Sequence, residues 1–71
     1  VKLPRDLSGA DVVKALRRLG FEVARQEGSH IRMSLGARRV TIPNHKAIAP
    51  KTLQSILRQA SVSVEAFHDA R

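Results

Sequence analysis

Between Gly20 and Pro43 the chain carries three short runs in which apolar and polar residues alternate, separated by glycine-containing turns. This pattern leaves little topological freedom. Strand side chains point to opposite faces in turn, so Phe21 and Val23, then Ile31 and Met33, then Val40 and Ile42 each mark one apolar face. The links, Gln26-Glu27-Gly28 and Leu35-Gly36-Ala37, are far shorter than the dozen or so residues a parallel crossover needs. The strands are therefore expected to pair as an antiparallel meander, ended by Pro43. One sheet face is apolar and must be covered. The other, with His30, Arg32, Arg39 and Thr41, is polar and should stay open.

The cover is supplied by helical periodicities on either side. Val1 to Leu7 reads as an extended lead-in stiffened by Pro4. Ser8 then suits a helix N-cap with Asp11 three residues on, and Leu7 and Val12 fit a hydrophobic staple. Val12, Val13, Leu16 and Leu19 form an apolar stripe that Gly20 terminates. After the strands, Asn44 to Ala49 is a loop carrying His45 and Lys46, and Pro50 suits a first helical position. Leu53, Ile56, Leu57 and Ala60 make a second stripe, and Val62 and Phe67 bracket Ser63 at the start of a short last helix. The expected fold is α+β. It is an α-β-β-β-α arrangement like that of double-stranded-RNA-binding domains, with a three-stranded antiparallel sheet and the helices on one face. Residues 1–71 should form a single domain, whose small size leaves room for only a shallow site.

Charge narrows the partner. Thirteen basic and six acidic side chains give a net charge of +7, and residues 28–64 contain no Asp or Glu. Arg32, Arg38, Arg39, Lys46, Lys51 and Arg58 lie in that stretch, with His30 and His45. Such a balance points to an anionic partner. Cysteine is absent, which rules out disulfides and thiolate-bound zinc. No apolar run approaches a membrane span and no signal peptide is read, so a cytoplasmic location is expected.

In its ordered motifs the chain resembles the HicA family of bacterial toxins. The resemblance runs through Lys2-Leu3-Pro4-Arg5, Leu16-Arg17-Arg18-Leu19-Gly20-Phe21-Glu22 and Gly28-Ser29-His30-Ile31-Arg32-Met33. It continues in Val40-Thr41-Ile42-Pro43 followed by His45, and in Thr52-Leu53 through Ile56-Leu57-Arg58-Gln59-Ala60. It implies an mRNA interferase, an RNA endonuclease that blocks translation, neutralised by a HicB-type antitoxin. It also implies that His30, in the Gly-Ser-His motif, is the catalytic histidine. The free toxin would be a monomer, joining a hetero-oligomer with the antitoxin. Two departures are Lys51 and Ser61, where such proteins often carry glycine.

The chemistry of these residues fits that implication. RNA supplies its own nucleophile, the 2′-hydroxyl, so cleavage needs proton transfer and stabilisation of charge on the phosphate. Imidazole titrates near neutrality. His30 is therefore expected to act as general acid or base, with Ser29, Arg32, Arg39, Lys46 and Lys51 as RNA-contacting candidates. His45 is a possible second acid or base, and equally a loop-shaping residue, while His68 reads as a solvated surface residue. No cofactor or metal is expected, because magnesium sites in nucleases need carboxylates and this central segment has none. The only aromatics, Phe21 and Phe67, fall at core positions, so the open face lacks a base-stacking platform and sequence selectivity should be weak. Three other readings compete. One is a non-catalytic double-stranded-RNA-binding module. Another is a DNA-binding helix-turn-helix over Pro50–Ala60 and Ser63–Ala70, and the last is a membrane-surface binder.

Overall fold

The computed structural model describes residues 7–71. The lead-in residues 1–6, including the Lys2-Leu3-Pro4-Arg5 motif, lie outside the described residues. The elements run α1 (Gly9–Arg18), β1 (Glu22–Glu27), β2 (His30–Leu35), β3 (Arg38–Pro43), α2 (Pro50–Ala60) and α3 (Val64–Asp69). The strands form one antiparallel sheet in the order β1-β2-β3, the meander that the short turns demand.

α1 begins as its sequence dictates. The Ser8 hydroxyl accepts the Asp11 amide at 3.1 Å, and the Asp11 carboxylate accepts the Ser8 amide at 3.0 Å. This capping box satisfies two of the amides that a helix start leaves without partners. The helix closes with the Phe21 amide on the Leu16 carbonyl and the Gly20 amide on the Arg17 carbonyl, with Gly20 at φ 104°. α2 ends the same way, its Val62 amide on Leu57 and its Ser61 amide on Arg58. There the left-handed residue is Ser61, at φ 56° and ψ 40°.

The helix layer packs on the apolar sheet face. Val12, Ala15 and Leu16 of α1 meet Ile31, Met33, Val40 and Ile42 of the sheet and Leu53, Ile56, Leu57 and Ala60 of α2 in one hydrophobic cluster. α3 has only six residues, too few to hold a helix in water unaided. Its cap bond from the Ala66 amide to the Ser63 hydroxyl and the fully buried Phe67 fix it to the core. Phe21 is buried as well, so both aromatics are structural.

The connection from β3 to α2 is strapped rather than loose. Ile48 is buried within it. Its amide bonds the Leu7 carbonyl at 2.7 Å, the His45 carbonyl accepts the Gly9 amide at 2.8 Å, and the Asn44 amide reaches the Ser29 carbonyl at 2.6 Å. Gly9 permits this close passage, because a β-carbon there would lie 2.5 Å from the Pro43 carbonyl oxygen.

Three details of β1 differ from the sequence expectation. Val23, expected on the covered apolar face, is 44% exposed on this edge strand. The strand runs on through Gln26 and Glu27, so the turn is only Gly28–Ser29. The register also breaks between Val23 and Arg25: Val23 stands opposite Met33, yet Arg25 stands opposite Arg32. Ala24 is the extra residue of a β-bulge, and from Arg25 onward the faces of the strand are exchanged.

Candidate functional site on the open sheet face

His30 opens β2 immediately after the Gly28–Ser29 turn and is exposed on the face turned away from the helices. Its cross-strand neighbours are Pro43 on β3 and Glu27 on β1. Further along the same face Arg32 pairs with Thr41 and Arg25, and Ser34 with Arg39 and Glu22. Arg25, Arg32 and Arg39 thus come from three different strands and line a shallow concavity of about 430 Å³ with Ser34 and Thr41. This arrangement gives three guanidinium groups on one face, each able to grip a phosphate through paired N–H donors.

The sequence placed His30 among cations with no carboxylate nearby, and the structure corrects that. β1 lies before the acid-free segment in sequence but beside it in space. Glu27 stands directly across from His30, and its Oε1 lies 3.2 Å from Arg25 Nε and 3.7 Å from Arg32 Nε. Glu22 occupies the far end of the same face, opposite Ser34. Strict alternation puts Arg25 on the helix side with Val23, and Glu27 reads as part of the Gln26-Glu27-Gly28 turn. The bulge at Ala24 turns them outward, and no residue type announced it.

The other predicted residues are distributed as follows. Ser29 is an exposed turn residue whose carbonyl holds the Asn44 amide, tying the turn before His30 to the loop after β3. His45 and Lys46 lie exposed in that loop, and the His45 carbonyl fixes the start of α1. Lys51 is exposed on the first turn of α2, in the helix layer. His68, read as solvated, is half-buried on α3. Among the described residues no group of three or more His, Cys, Asp or Glu gathers as a metal site, and no helix is long and apolar enough to cross a membrane.

A larger hollow of about 540 Å³ lies between α1 and the underside of β1, edged by Lys14, Arg17 and Arg18 over Val13 and Ile31. Its charged groups are all cations, so it offers no proton acceptor. The open face, by contrast, combines an imidazole, a carboxylate and several guanidinium groups.

A family model described as HicA toxin of bacterial toxin-antitoxin matches residues 9–62. The chain belongs to the HicA toxin family. The match spans α1, the whole sheet and α2, and so contains every group of the open face. Membership gives the chain a toxin role in a toxin–antitoxin pair. No curated protein matches it significantly.

Proposed function

We propose that this HicA toxin is an endoribonuclease that cuts mRNA without a metal ion and so blocks translation, with His30 transferring a proton at the scissile phosphate. The observation that carries this reading is the exposed His30 at the start of β2, on the same sheet face as Arg25, Arg32 and Arg39 from three strands. Guanidinium groups neutralise charge as it develops on the phosphate, while a positioned imidazole supplies proton transfer worth roughly 10²–10⁴-fold in rate. Arg32 and Arg39 are the sheet's phosphate-binding residues, and Lys46, in the loop strapped to the His30 turn, extends the same surface. The Ser29 hydroxyl, in the turn before His30, gives an outer contact to the RNA strand, whereas Lys51, on α2 in the helix layer, lies behind the sheet and is left out of this surface.

The reading favours a nuclease over a passive RNA-binding module because the chemistry is concentrated at one end of the face. A module would need only the cations. Incubating mRNA with wild type and with His30→Ala in EDTA separates the two. The wild type is expected to cut and the variant to lose at least about 10²-fold in rate. Full cleavage by His30→Ala removes His30 from the mechanism, and a requirement for added magnesium removes the metal-free route. Inhibition by a HicB-type antitoxin, in the cytoplasm, follows from covering this face. The strong positive charge would speed encounter with an acidic antitoxin surface.

A further inference from the structure

The geometry points to Glu27 as the second proton-transfer group: its carboxylate takes the proton of the ribose 2′-hydroxyl while the His30 imidazolium protonates the leaving 5′-oxygen. This rests on the ribonuclease reading and assigns a base, which that reading lacks.

Directly opposed residues of an antiparallel pair hold their β-carbons about 4.5–5.5 Å apart on one face. Glu27 and His30 are such a pair, at the closing end of the β1–β2 hairpin. Their spacing leaves a reacting phosphodiester room to sit above them. The remaining carboxylates of the described residues are elsewhere. Asp11 is committed to the α1 cap, Glu65 and Asp69 belong to α3, and Glu22 is at the other end of the face. Glu27 is held in place by Arg25 and Arg32, and its side chain remains 45% exposed, open to substrate.

The division of labour follows from what each group can do. An ionised carboxylate only accepts, and an imidazolium only donates. The 2′-oxygen gives its proton to Glu27 and attacks phosphorus. The bond from phosphorus to the 5′-oxygen breaks, and that oxygen receives the His30 proton. The products are a 2′,3′-cyclic phosphate and a 5′-hydroxyl. Glu27 ends protonated and His30 neutral, and proton exchange with water resets both. Arg25 and Arg32, already beside the carboxylate, face the non-bridging phosphate oxygens. The charged groups around Glu27 are Arg25 on its own strand, Arg32 and His30 on β2, Arg39 further off on β3, and His45 and Lys46 in the loop tied to the turn. The helices lie behind the sheet.

The test is the pH–rate profile of RNA cleavage in EDTA for wild type, E27Q and H30A, with thermal melts to confirm folding. Wild type should give a bell, rising as the base ionises and falling as the acid deprotonates. E27Q should fall about 10²–10⁴-fold and lose the rising limb while keeping the falling one. An oligoribonucleotide with sulfur in place of the 5′-bridging oxygen separates the roles, since a thiolate leaves without a proton. It should restore H30A by at least about 10²-fold and leave E27Q slow. E27Q cutting within a few-fold of wild type with both limbs intact would overturn the assignment, as would thio-substrate rescue of E27Q instead of H30A. Loss of one limb in H45Q with E27Q unchanged would transfer the post to His45. A wild type that cuts no RNA overturns the ribonuclease reading itself. Cleavage abolished by H30A but indifferent to E27Q overturns only the role of Glu27.

Discussion

Asp11 shows how one side chain can be read from sequence to thermodynamics. The Ser8 amide, then the Ser8 hydroxyl, bonds its carboxylate and holds its pKa below the ordinary aspartate value of 3.8, with Arg71 and Lys14 adding smaller attraction. A depressed carboxylate pKa stabilises the fold fully above the unfolded value, and that stability disappears as pH falls through the lower folded value. The melting temperature should therefore drop as the solution is acidified below about pH 4, where an unperturbed aspartate titrates. Asp11→Asn should start lower at neutral pH and lose part of this acid dependence. Parallel pH curves for the two proteins would show that the cap carries no such linkage. Glu27 is the contrasting case. Its partners Arg25 and Arg32 lie with it on the exposed sheet face, so under the proposed function its consequence would be read in cleavage rather than in stability.

At the scale of elements, α1 and α2 stop by the same pair of hydrogen bonds, but only α1 supplies a glycine at the left-handed position. A β-carbon in that conformation costs roughly 1–2 kcal/mol, offset in part by the extra chain entropy that glycine loses on folding. Ser61→Gly should therefore stabilise the protein by about 0.5–1 kcal/mol, seen as a rise of several degrees in Tm with unchanged cleavage. A variant that melts lower would mean that the serine is not strained there. Both stops were legible, since Gly20 follows the first apolar stripe and Ser61, where related proteins often carry glycine, follows the second. The β1 bulge was not legible. Val23 and Arg25 look like one face of a strand, and Glu27 like part of a turn, until pairing with β2 shows Val23 opposite Met33, Arg25 opposite Arg32 and Glu27 opposite His30. A bulge is a property of two strands together, and one strand's residues carry no sure mark of it.

Taken whole, the molecule divides its work between two sides of one sheet. Apolar side chains hold the helices, while the other side gathers Arg25, Arg32 and Arg39. If these cations bind RNA phosphates, affinity for a non-cleavable deoxy-substituted strand should fall with salt at a log–log slope of about −0.7 per contact. Arg25→Ala and Arg39→Ala should each flatten the slope by about that amount, and a salt-independent affinity would count against the whole surface. The amino-acid order alone determined the helix starts and stops, the meander, the core residues apart from Val23 and Ile48, and the outward placing of His30. All of these follow from local periodicity, turn length and capping, which act over a few neighbouring residues. Only the tertiary structure decided which charges meet. Residues 28–64 have no acid, yet pairing with β1 brings Glu27 across from His30, because a sheet joins residues through strand register and not through their distance along the chain.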